Sequence, residues 1–145
     1  MIRPKSIDSV GFFLLLISFF ASFVFIQCRY QEKSSERLAI RTGKTLIQSE
    51  QYQLAIDHLS ASINTIKQPE VLLQAHLMLA QAYEYLVQPN DSIHHLELAL
   101  ELVREDKPET FSTNQETEIQ FQLGQLHWQN NRQPIAAGYF RSILD

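Results

Sequence analysis

A single cysteine, Cys28, excludes an intrachain disulfide framework, and no Cys/His cluster at zinc-ligand spacing stands in for one. Whatever folds here folds by burying apolar surface. Glycine is scarce as well: of four, only Gly43, Gly124 and Gly138 lie beyond residue 27, and Pro69, Pro89, Pro108 and Pro134 fall between helical patterns. No stretch shows sustained period-2 alternation bounded by turn residues, so strand signals are missing. Charge of one sign is missing too. The formal net charge of -4 leaves no basic excess, and the lysines and arginines do not interleave with aromatics, which argues against a nucleic-acid partner. At 145 residues the chain has room for one modest domain and a tail, not for a large multi-domain enzyme.

What the chain does have is a long apolar run. Residues 10–26 read VGFFLLLISFFASFVFI, with no charge and six of the nine phenylalanines. Seventeen helical residues at ~1.5 Å each span roughly 25 Å, the short end of what a bilayer core requires. Arg3 and Lys5 supply the basic flank of a secretory signal, but the run exceeds a usual signal core and no small-x-small cleavage site follows. Cys28 stands where a lipoprotein signal would place its modified cysteine, although Gln27 and Phe25 occupy positions that normally carry a small residue and Leu. An uncleaved membrane anchor over residues 1–27 is the favoured reading, with membrane lipid as its surroundings and lipidation at Cys28 as the alternative. Arg29, Lys33, Arg37, Arg41 and Lys44 follow the run and oppose the orientation set by Arg3 and Lys5. The ordinary export arrangement, a short basic segment before an apolar run, favours an extracytoplasmic C-terminal domain.

After a juxtamembrane linker at 28–35, apolar residues recur at helical spacing: Leu38, Ala39 and Leu46, then Ile56, Leu59, Ile63 and Ile66. The pattern predicts helices over 35–49, 52–67, 70–87, 90–105, 114–130 and 133–144. It also repeats. Small residues stand at Gly43, Ala80 and Gly124; twelve residues on come Ala55, Ser92 and Ala136, again small; sixteen on come Leu59, Leu96 and Phe140, all large. Leu46, Tyr83 and His127 follow the anchors by three residues, and Ser62, Ala99 and Ile143 by nineteen. Two small residues let the helices of an antiparallel hairpin approach closely, and the large ones fill the space around that contact.

This pattern resembles the tetratricopeptide repeat (TPR) motif, a two-helix hairpin with a small residue and an aromatic in its first helix and Ala, a bulky residue and Ala in its second. Leu123 before Gly124 completes the Leu-Gly pair that the family favours. The resemblance covers roughly residues 36–145, in units of about 36–69, 73–106 and 117–145. The anchors stand 37 and 44 residues apart, against a TPR period of about 34, which implies extended connections around Pro69 and from Lys107 to Glu116. Ile143 replaces the last small residue of the third unit. The expected fold is therefore all-α: an N-terminal transmembrane helix followed by a TPR-like α-solenoid of about three helical hairpins.

Candidate chemistry is thin. Thr42-Gly43-Lys44-Thr45 contains the GKT that closes a phosphate-binding loop, but Leu38 occupies the place of the earlier glycine and no strand precedes it. His94 and His95 are adjacent, hence about 100° apart on a helix, and His58, His76 and His127 stand at unrelated positions in three helices. They read as surface or hairpin-core histidines. No nucleophile spacing involves Cys28. The chain is thus expected to be no enzyme, without metal or cofactor.

The resemblance implies that the first helix of each hairpin lines a groove for a protein partner. The groove candidates are Arg37, Ile40, Lys44 and Ile47, then Gln74, Leu77, Gln81 and Glu84, then Glu118, Phe121, Gln125 and Trp128. A groove that clamps a C-terminal carboxylate carries basic groups on successive units, which this one does not. Leu77, Phe121 and Trp128 suggest an apolar seat for a partner segment, with Trp128 its anchor, or simply a Trp packed between hairpins. The last helix carries Ile135, Ala136, Tyr139, Phe140, Ile143 and Leu144, an edge that calls for cover by a second copy or a partner helix, with Tyr139 and Phe140 as the candidate association residues. A partner-holding scaffold in envelope assembly or secretion is the first reading, and a self-associating structural membrane protein is the alternative.

Overall fold

The computed structural model describes residues 9–105 and 111–144; the side chains of residues 9–17 and of Ala21, Cys28, Glu32 and Thr113 are outside that description. Among the described residues there is no strand, and six helices follow one another: α1 (Ser9–Gln48), α2 (Tyr52–Ile63), α3 (Pro69–Tyr85), α4 (Pro89–Glu105), α5 (Thr113–Gln129) and α6 (Gln133–Leu144). The chain divides into two compact units, Met1–Ser35 and Glu36–Asp145.

The expected helix over 35–49 has no start of its own. It is the end of α1, which runs on through residues 28–35, the segment expected to be a linker. No glycine or proline lies between Gly11 and Gly43 to stop it, so nothing in the backbone breaks the i to i−4 ladder. Among the described residues no helix is long and apolar enough to cross a membrane. Most of the first half of the apolar run, residues 10–17, lies outside the described side chains, as do Arg3, Lys5 and Cys28.

The remaining helices start and stop for local reasons. Pro69 opens α3 and Pro89 opens α4, where a missing N–H costs nothing. Ser112 precedes α5, and its N–H donates to Gln115 Oε1 at 2.8 Å, one arm of a capping box. Three turns share one construction. Leu46, Tyr83 and His127 each accept a hydrogen bond from the N–H five residues on (2.9, 2.9 and 2.8 Å), while Ile47, Glu84 and Trp128 accept from the N–H three residues on. The residue between is left-handed in every case: Glu50 at φ 61°, Val87 at 58° and Asn131 at 58°. This is the Schellman helix stop, repeated at the spacing of the anchor residues.

Each stop folds a hairpin around a small-on-large contact. A Cβ added at Gly43 would sit 2.6 Å from Leu59 Cδ2, and one at Gly124 would sit 2.5 Å from Phe140 Cε1, so a side chain at either position would have to displace its large partner. Ala80 and Leu96 occupy the same places in the middle hairpin, within one core cluster. Ala55, Ser92 and Ala136 are all fully buried. Between hairpins, α2 packs on α3 and α4 on α5. Leu79, Ala82, Ile56 and Leu59 fill the first junction; Leu100, Val103, Phe111 and Ile119 fill the second.

A further tie was not visible in the sequence pattern. Glu36 is buried, and its carboxylate accepts the Lys67 N–H at 3.0 Å and Gln68 Nε2 at 2.7 Å, just ahead of α3. The helix dipole adds to the attraction for that negative charge. Arg132 Nη2 donates to Asn90 Oδ1 at 2.8 Å, tying the start of α4 to the turn before α6.

Leu96→Ala, which empties a fully buried site, is expected to lower unfolding free energy by about 2–5 kcal/mol in urea titrations followed by far-UV circular dichroism. Val87 is β-branched, left-handed and 84% exposed, so Val87→Gly relieves strain without losing packing. Its expected effect in the same titration is a gain of about 0.5–1 kcal/mol.

Candidate functional site

The first helices of the hairpins face each other across two clefts. One lies between α1 and α3 and is lined by Arg37, Ile40, Arg41, Gln68, Glu70, Val71 and Gln74. The other, about 430 Å³, lies between α3 and α5; Leu77, Ala80, Leu96 and Ile119 form its apolar part, and Gln81, Glu84, Gln115, Glu118 and Gln122 its polar walls. Farther along α5, Phe121, Gln125, Trp128 and Gln129 with Phe140 border a third, more open hollow. Trp128 is 58% exposed and Phe121 49%.

The groove candidates are therefore placed unevenly. Arg37, Lys44, Gln81, Glu84, Glu118, Gln125 and Trp128 are exposed, whereas Ile47 is buried and Ile40 half-buried, both packed in the core around α2 and α3. Helical spacing alone gives a face, not the tilt of the neighbour that covers part of it. Leu77 serves both purposes, bordering the cleft while packing against the core. Tyr139 and Phe140 are half-buried inside their own hairpin. Tyr139 stacks on His127 at 5.6 Å and Phe140 meets Phe121 at 5.9 Å, so the exposed apolar surface of α6 is carried by Ile135 and Leu144 instead.

The histidines fall into order once the hairpins are closed. In the first two hairpins the residues four before and fifteen after the anchor meet across the hairpin. His58 Nε2 lies 3.1 Å from the Ala39 carbonyl, and His76 Nδ1 lies 3.1 Å from His95 Nδ1, so one of these two rings donates to the other across α3 and α4. Their positions, unrelated when read singly along the chain, are related through the repeat. Tyr83 stacks on His95 at 5.5 Å in the same register in which His127 stacks on Tyr139, with the two ring types exchanged. Extending the alignment by those two offsets would have found both pairs.

Burial, reinforced by His76 and His94 and opposed by Asp91, pushes the His95 imidazole down to about 4. Burial also lowers His76 and His127. These rings stay neutral at pH 7: His76 and His95 bond each other, whereas His127 packs against Tyr139 and neither of its buried ring nitrogens has a hydrogen-bond partner among the described residues. Among the described residues no group of three or more His, Cys, Asp or Glu side chains is placed to hold a metal ion.

Helix hairpins joined by Schellman stops, closed on a small-large pair and stacked in one register, define a TPR-like helical-repeat fold. Among solved structures the chain is similar to the TPR domain of Arabidopsis FLU, with a TM-score of 0.66 over 78% of this chain and 94% of that one. The two are 14% identical, so the likeness is one of fold. No family model matches the chain, and no curated protein matches it in sequence.

The lowered imidazoles set a pH dependence. Between the ordinary histidine value of 6.5 and about 4, the unfolded chain binds protons that folded His95 refuses, so stability is fully present above 6.5 and is lost as pH falls through that window. Thermal melts from pH 8 to pH 4 are expected to show a midpoint that drops below pH 6.5, and His95→Gln is expected to make that drop shallower.

Proposed function

We propose that the chain is a non-catalytic interaction module that holds a segment of a protein partner in the groove lined by α1, α3 and α5, close to a membrane to which residues 10–26 anchor it. The observation that carries this reading is the row of open clefts along the first helices, ending in an exposed Phe121 and Trp128. Large aromatics left in solvent beside a cleft are what an interface uses as anchors, and TPR-like folds serve typically as interaction scaffolds. The membrane part rests on the uncharged length of residues 10–26, and the basic flank before it supports an extracytoplasmic domain. Envelope assembly and secretion are the settings in which such an arrangement would work. Self-association through α6 is the second reading, favoured by Leu144, 86% exposed, and by the half-exposed Ile135.

Photo-crosslinking residues placed at Gln125 or at His94 separate these readings in the native host. A partner is expected to crosslink from Gln125 but not from His94, in the membrane fraction, and to be lost in a folded Phe121→Ala/Trp128→Ala variant. Crosslinks only to further copies of the same chain, unchanged in that variant, would favour self-association. A protein that stays out of the membrane fraction would remove the anchor from the proposal.

A further inference from the structure

The two clefts of the groove differ in sign, and that difference specifies an occupant. In the α1/α3 cleft Arg37 and Arg41 face a single carboxylate, Glu70. In the α3/α5 cleft the only charged lining groups are Glu84 and Glu118, and among the described residues neither is paired with a cation. Its remaining polar wall consists of the amides of Gln81, Gln115 and Gln122, above an apolar floor. Glutamine amides can bond a peptide backbone through both donor and acceptor, whereas two carboxylates accept only.

Taking the groove as a protein-binding surface, the reading proposed above, we infer that the α3/α5 cleft seats a lysine or arginine side chain of an extended partner segment. The aliphatic stem lies on Leu77 and Ile119, and the cationic head reaches Glu84 and Glu118. An apolar side chain of the same segment, a few residues away, covers Phe121 and Trp128 in the adjoining hollow. Cationic side chains have this two-part character, an apolar stem and a charged tip, and acidic ones do not. Charge complementarity thus selects a basic-apolar segment over an acidic one.

The test uses a phage-displayed library of random 12-residue peptides, selected on the full chain in detergent and on a Glu84→Gln/Glu118→Gln variant. Both glutamates are exposed, so the variant should melt like the parent. Selected peptides are expected to be enriched in Lys or Arg with a nearby apolar residue, to shift the emission of Trp128, the chain's single tryptophan, to the blue, and to bind the variant at least tenfold more weakly. Glu84→Asp/Glu118→Asp should recover most of that loss. Enrichment of neutral or acidic peptides, or basic peptides that bind the Gln variant equally well, would overturn the inference while leaving an interaction module standing. Selection that yields no binder to the parent chain would overturn both.

Discussion

The close approach of two helices across a residue without a side chain, or with only a methyl group, is the constraint on which the whole repeat region depends. Gly43 lies so close to Leu59, and Gly124 to Phe140, that even a methyl group there would push the large partner aside. Because that distance is fixed, the residues on either side of it meet in fixed pairs: the ring stacks three and fifteen residues past the anchor, and the polar pairs four before and fifteen past it. The Schellman stops matter for the same reason. They return the chain in the same way at all three turns, so that the backbone hydrogen bonds and the small-large contacts agree on one register.

The fold was legible in the sequence to the extent that it follows from spacing. The small and large positions, the absence of strand pattern and the prolines between helices marked the hairpins. Helix stops were less visible, because Glu50, Val87 and Asn131 hold left-handed geometry without glycine, the usual signal for such a stop. The start of the first helix was hidden for the opposite reason: nothing between Gly11 and Gly43 interrupts a helix, so the change from apolar run to amphipathic face leaves no backbone mark. Glu36 was beyond reach of periodicity altogether, since its partners are a backbone amide and a side chain thirty-one and thirty-two residues away.

The candidate site was legible as a face and not as a surface. Helical spacing placed Gln81, Glu84, Gln125 and Trp128 together, but it also admitted Ile40 and Ile47, which the core claims. The sign of each cleft emerges only when two helices are set side by side. Glu84 stands four residues after Ala80 and Glu118 six before Gly124, so the register of the anchors does not join them. The histidines show the same limit: to foresee the hydrogen bond between His76 and His95 requires knowing how the hairpin closes.

Among the described residues α2 packs on α3, α3 on α4, α4 on α5 and α5 on α6, helices adjacent in the chain, and the hydrogen bonds of Glu36 and Arg132 are longer ties laid over that packing. Packing of adjacent helices is short-range in sequence, the condition under which chains fold rapidly and without waiting for distant segments. During synthesis a hairpin can close as soon as its own second helix has emerged, and the next one then finds a finished face to build upon. Phe121 and Trp128 lie on α5, so the hollow that they border can form only after the two hairpins before it have been made.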